Sequence, residues 1–122
     1  MAEGITDKDN PPDGFRAMRA LLAMLPAASR GNMVTMYRQS LDTHLAQVES
    51  GLLPGADEQE LLRAVHRIAG AAGMMQDLSL SDTARAMETA LRESRPADAA
   101  GLWPQLQEHA RRTREALDQA AA

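Results

Sequence analysis

The chain of 122 residues contains no cysteine, which excludes disulfides, thiolate metal sites and thiol nucleophiles. Aromatic residues are nearly missing: Phe15, Tyr37 and Trp103 are the whole set. A β-sandwich or barrel leans on aromatic and β-branched residues, and this chain is poor in both. Excess positive charge is also absent. Thirteen basic residues, all arginine but Lys8, face 17 acidic ones, for a net charge of −4. That balance argues against nucleic acid or anionic lipid as a partner. No apolar run approaches the roughly 18 residues that a membrane-spanning helix needs. The first ten residues are polar and lack the basic and apolar regions of a secretion signal. A soluble, cytoplasmic protein is expected.

Apolar residues make up 44% of the chain, enough for one packed domain, and alanine and leucine dominate among them. Residues 1–13 read as a flexible arm ending in Pro11-Pro12, and residues 14–122 as a single domain. Phe15, Met18, Leu22 and Leu25 mark a short helix that Pro26 stops. A second helix is expected to start between Ser29 and Asn32 and to run to Ser50, with Val34, Tyr37, Leu41, Leu45 and Val48 inward. Gly51 and Leu53-Pro54-Gly55 end it. Asp57 and Glu60 form a candidate capping box for a third helix reaching Met75, with Leu61, Val65, Ile68, Ala72 and Met75 as its seam.

Ser79 or Ser81 is the expected cap of a fourth helix with Leu80, Ala84, Met87 and Leu91 inward. After Arg95-Pro96 a last helix carries Leu102, Leu106, Ala110, Thr113 and Leu117, with Pro104 in its first turn or kinking it. No strand pattern appears. Short links make sequential helices antiparallel neighbours. The fold class is therefore all-α: an antiparallel up-down-up-down four-helix bundle with a short extra N-terminal helix.

The third helix holds an anomaly. At 100° per residue, His66 points roughly 140° away from the seam, toward solvent. Gly70 lies almost opposite the core, and Ala69 and Gly73 complete a strip of small residues beside the imidazole. Each glycine inside a helix costs about 1 kcal/mol relative to alanine. An exposed strip without side chains suits a partner whose backbone comes close. Leu62, Ala69, Gly70 and Gly73 are thus the candidate docking residues, with Met18 or Leu22 of the first helix adding area. Met36, Met75 and Met87 are read as core, His44 as a core-edge residue and His109 as solvated.

The segment His66-Arg67-Ile68-Ala69-Gly70-Ala71-Ala72-Gly73-Met74-Met75 resembles the signature of histidine-containing phosphotransfer (HPt) domains, with Leu80, Ala84, Ala86 and Met87-Glu88 where that pattern continues. The resemblance covers residues 30–118 by helix order, and residues 66–88 carry its specific positions. Two positions depart from the pattern. Ala69 stands where the family usually has lysine, and Gln76 where it often has glycine. Arg63, one turn before His66, is the first candidate for replacing the missing charge, and Arg67 the second.

The resemblance implies a phosphorelay intermediate with His66 as the phosphoryl carrier between aspartates of response-regulator receiver domains. A hybrid histidine kinase is a further implied partner. It implies attack by Nε2 with Nδ1–H held by a neighbouring acceptor, for which Glu88 is the candidate. An ordinary imidazole, with a pKa of about 6.5, is largely neutral at cytoplasmic pH and keeps one free lone pair. The chain itself needs no cofactor and no metal; Mg²⁺ is expected on the receiver. No Gly-rich phosphate loop is present, so ATP-dependent autokinase activity is not expected. A stand-alone monomer is the expected form. The competing readings are a non-catalytic helical adaptor with an incidental His66, and an oligomeric scaffold with Gly70 and Gly73 at its self-contact.

Overall fold

The computed structural model describes residues 13–121, and among them every regular element is a helix. Five occur in order: α1 (Asp13–Ala23), α2 (Ala27–Gly51), α3 (Glu58–Met74), α4 (Leu78–Arg92) and α5 (Pro96–Ala121). Of the arm expected over residues 1–13, residues 1–12 lie outside the described residues, and Asp13 opens α1. The four longer helices form a closed ring of contacts: α2 on α3, α3 on α4, α4 on α5 and α5 back on α2. The first helix packs on α4 and α5.

Apolar spacing and local hydrogen bonds explain the elements. In α2 the expected stripe is the buried one: Val34, Tyr37, Leu41, Leu45 and Val48. The helix starts earlier than expected, at Ala27 directly after Pro26, whose carbonyl accepts from the Arg30 N–H at 2.9 Å; the Arg30 side chain reaches back to α1. Its Nε donates to Leu22 O and its Nη2 to Leu25 O, both at 3.0 Å, adding side-chain donors to carbonyls at the end of α1. Asp57 caps α3 by accepting from the Gln59 N–H at 2.8 Å. Glu60 does not turn back to complete a capping box; it pairs with Arg63 at 3.1 Å.

Neither Ser79 nor Ser81 caps α4. Asp77 occupies the cap position, and its side chain is used elsewhere. Gln76 makes the link from α3 with φ at 62°, in the left-handed region. Pro104 lies inside α5, beyond its first turn, at an exposed position. It lacks the N–H that would donate to Ala100 O, and because Ala100 is itself exposed, water can satisfy that carbonyl.

The core has two parts. The larger one joins Leu41, Leu45 and Val48 of α2 to Leu61, Val65, Ile68 and Ala72 of α3, Leu80, Ala84 and Met87 of α4, and Leu106 and Ala110 of α5. The smaller one holds Met18, Leu22, Val34, Tyr37, Met75, Ala116 and Leu117. Met18 and Leu22 are therefore core residues rather than docking surface, because α1 lays its apolar face on the bundle instead of extending past it. Met36 is exposed, one position off the inward stripe of α2, whereas Met75 and Met87 are buried as expected.

Candidate functional site

His66 projects from the middle of α3 with 64% of its side chain exposed. Val65, Ile68 and Ala72 point the opposite way into the core, which fixes the rotation of the helix. Directly across, α4 presents Glu88. Its Oε2 lies 2.7 Å from His66 Nδ1. The same oxygen accepts from Arg92 Nη2 at 2.7 Å and Arg92 Nε at 3.2 Å. Glu88 and Arg92 are four residues apart on one helix, and Met87 beside them is buried, so the packing of α4 aims both at the imidazole.

Burial alone would push the Glu88 carboxyl up. The hydrogen bonds from Arg92 and His66 outweigh it and hold the group below the usual carboxylate range. Glu88 is then an ionised acceptor, and the imidazole must be the donor: Nδ1–H donates to Oε2. That tautomer leaves Nε2 as the nitrogen with a lone pair. A surface depression beside the ring is lined by Gln59, Leu62, Arg63, His66, Arg67 and Arg92.

The expected site residues divide. His66 and Glu88 are brought together, Leu62 is half-buried at the edge of the depression, and Gly70 is open, with nothing within 4 Å of an added Cβ. Ala69, expected on the docking strip, is instead a core residue with 4% exposure, and its carbonyl accepts from Ser81 Oγ at 3.3 Å. Gly73 is half-buried as well, with Arg85 Nη2 3.4 Å and Ser81 Oγ 3.6 Å from where its Cβ would be. The reason is common to both. The helical wheel has one seam, whereas α3 packs on α2 with one flank and on α4 with the other, so its buried arc is wider.

Arg63 and Arg67 are exposed and line the depression, but neither hydrogen-bonds the imidazole. Arg67 acts electrostatically on His44, whose pKa is lowered by burial first and by that charge second. His44 is half-buried with its Nδ1 3.3 Å from Ser40 Oγ. His109 is half-buried rather than solvated, and its charge acts on buried Asp77.

Two features escaped the sequence reading. Arg92 is one; its signal was the four-residue spacing from Glu88. The other is Asp77, fully buried at the base of α4, where its Oδ2 accepts from Tyr37 Oη and Thr113 Oγ1, each at 2.7 Å. Among the described residues no group of three His, Asp or Glu side chains could hold a metal ion. None of the described helices is long and apolar enough to cross a membrane.

Comparison with curated proteins and with solved structures gives no match. The family model of the Hpt domain matches residues 32–122, which takes in α3, α4, α5 and all but the start of α2. The match spans both partners of the His66–Glu88 hydrogen bond and well over half of the sequence: the chain belongs to the Hpt domain family, the histidine phosphotransfer modules of two-component phosphorelays.

Proposed function

We propose that His66 carries a phosphoryl group between the aspartates of response-regulator receiver domains. The observation that carries this reading is the 2.7 Å contact of His66 Nδ1 with Glu88 Oε2, which leaves Nε2 free on an exposed ring. The lone pair of Nε2 attacks the phosphorus of an aspartyl phosphate in line. The N–P bond forms as the P–O bond to the aspartate breaks, and that electron pair returns to the aspartate carboxylate. No proton moves. The ring then carries Nδ1–H and Nε2–P with a positive charge, which the Glu88 carboxylate faces.

Transfer of this kind depends on positioning and charge compensation more than on covalent help from side chains. Arg63 and Arg67, on the rim of the depression, supply positive charge toward the phosphoryl oxygens. Gly70 lets the receiver's backbone approach, with Leu62 as an apolar contact. Mg²⁺ belongs to the receiver in this scheme, and no cofactor is assigned to the chain itself. A hybrid histidine kinase is a further partner in this reading. The links between helices support the up-down-up-down arrangement, and the protein works as a cytoplasmic monomer.

The test is incubation with receivers charged by acetyl phosphate and Mg²⁺. Acid-labile, alkali-stable label on the wild type, absent from His66→Gln, is the expected result. Absence of label with every receiver of the source organism contradicts it and returns the protein to the class of helical adaptors.

A further inference from the structure

A carboxylate in contact with an imidazole is double-edged. It fixes the tautomer, but it also favours the doubly protonated ring, whose Nε2 has no lone pair. Glu88 poses that problem for His66, since its side chain is only 14% exposed and its Oε2 sits 2.7 Å from Nδ1. A guanidinium occupies the same oxygen, with Arg92 Nη2 at 2.7 Å and Arg92 Nε at 3.2 Å. Among the described residues no other cation is bonded so. Arg63 is engaged by Glu60 at 3.1 Å, and Arg67 makes no hydrogen bond to Glu88 or to the ring. The charged groups facing the imidazole are therefore Glu88 and Arg92 from α4 and Arg63 and Arg67 from its own helix, with His44 of α2 beyond Arg67.

We propose that Arg92 is a positioning residue that keeps His66 neutral and nucleophilic by sharing the Glu88 carboxylate oxygen. The guanidinium withdraws part of the carboxylate's field from Nδ1–H and adds its own repulsion against a second ring proton. It leaves the hydrogen bond that sets the tautomer intact. The site thereby obtains the orienting effect of a carboxylate without the loss of the lone pair. For its rate arm this inference rests on the reading of His66 as the carrier; its titration arm does not.

The experiment is residue-resolved ¹H–¹⁵N titration of the His66 ring in the wild type, Arg92→Ala, Arg92→Lys and the double variant Glu88→Gln/Arg92→Ala alongside Glu88→Gln. For unit charges about 6 Å apart screened as in bulk water, removing the cation is expected to move the midpoint of Arg92→Ala up by about half a pH unit. Arg92→Lys restores most of the wild-type midpoint. In the Glu88→Gln background, where no carboxylate holds the guanidinium by the ring, Arg92→Ala has little further effect. Phosphoryl transfer from a charged receiver falls about threefold in Arg92→Ala at about pH 6, and the gap closes by about pH 8.5, well above the ordinary imidazole range. An unchanged midpoint, or a rate loss that is the same at every pH, overturns the inference. Failure of the wild type to take label from any receiver overturns the carrier reading instead, and the titration still decides the role of Arg92.

Discussion

Tyr37 of α2 donates its hydroxyl to Asp77 Oδ2 at 2.7 Å, across 40 residues of sequence, and so ties the long second helix to the base of α4. Thr113 of α5 donates to the same oxygen, while Asp77 Oδ1 has no partner. One buried carboxyl thus gathers three helices directly beneath the turn from α3, the helix that carries His66. Burial raises its pKa, and the hydrogen bonds from Tyr37 and Thr113 only partly offset this.

A pH dependence of stability follows. In the unfolded chain Asp77 titrates near the ordinary value of about 3.9. In the folded protein the value is raised, so between the two the native state binds more protons and stability falls as pH rises. The contribution is fully present below the unfolded value and is lost through the folded one. Urea unfolding from about pH 3.5 to pH 7 is expected to show this decline relative to Asp77→Asn, which has no proton to lose. A constant difference between the two proteins would show that Asp77 does not titrate in this window.

Gln76 carries φ at 62°, where a side chain is strained and glycine is not. The Gln76 side chain gives little in return, one exposed contact to Gly73 O at 3.4 Å. Gln76→Gly is expected to raise unfolding stability by about 1 kcal/mol, read by denaturant titration, with transfer activity unchanged.

Gly51 behaves in the opposite way. A Cβ there would lie 2.9 Å from Leu61 Cβ, an atom next to the backbone that cannot rotate away. Gly51→Ala is therefore expected to lose about 1–3 kcal/mol despite alanine's better helix propensity. Gly31→Ala, in the same helix with nothing within 4 Å, serves as the control and is expected to gain up to about 1 kcal/mol.

Much of this could be read from the sequence, and each failure has its own physical cause. The stripe from Val34 to Val48 and the seam of α3 are legible because their periodic residues all point into the common core of the bundle. Ala69 and Gly73 were misplaced because a second neighbour, α4, covers the adjoining flank, and a wheel does not show how many helices surround it. Asp77 is not singled out by the sequence because its partners are 40 and 36 positions away. Glu88 was identified through the family resemblance; Arg92, at ordinary i,i+4 spacing, looked like any solvated surface pair.

With Ala69 buried and Gly73 half-buried, Gly70 is the bare position next to His66, and docking should depend on it. Gly70→Leu is expected to fold at least as stably as the wild type, since leucine is the better helix former. Transfer from a charged receiver should fall at least about tenfold, because the added side chain stands in the approach path. Direct phosphorylation of His66 by phosphoramidate, which needs no docking, should persist. Unimpaired transfer would show that the receiver approaches from another side.

The central claim is that the nitrogen opposite Glu88 is the one that reacts. ¹⁵N-resolved NMR of the protein after phosphorylation by a charged receiver tests it most directly. The expected spectrum shows phosphorus coupled to His66 Nε2 with the Nδ1 proton retained. Phosphorus on Nδ1, or on any residue other than His66, would contradict the account.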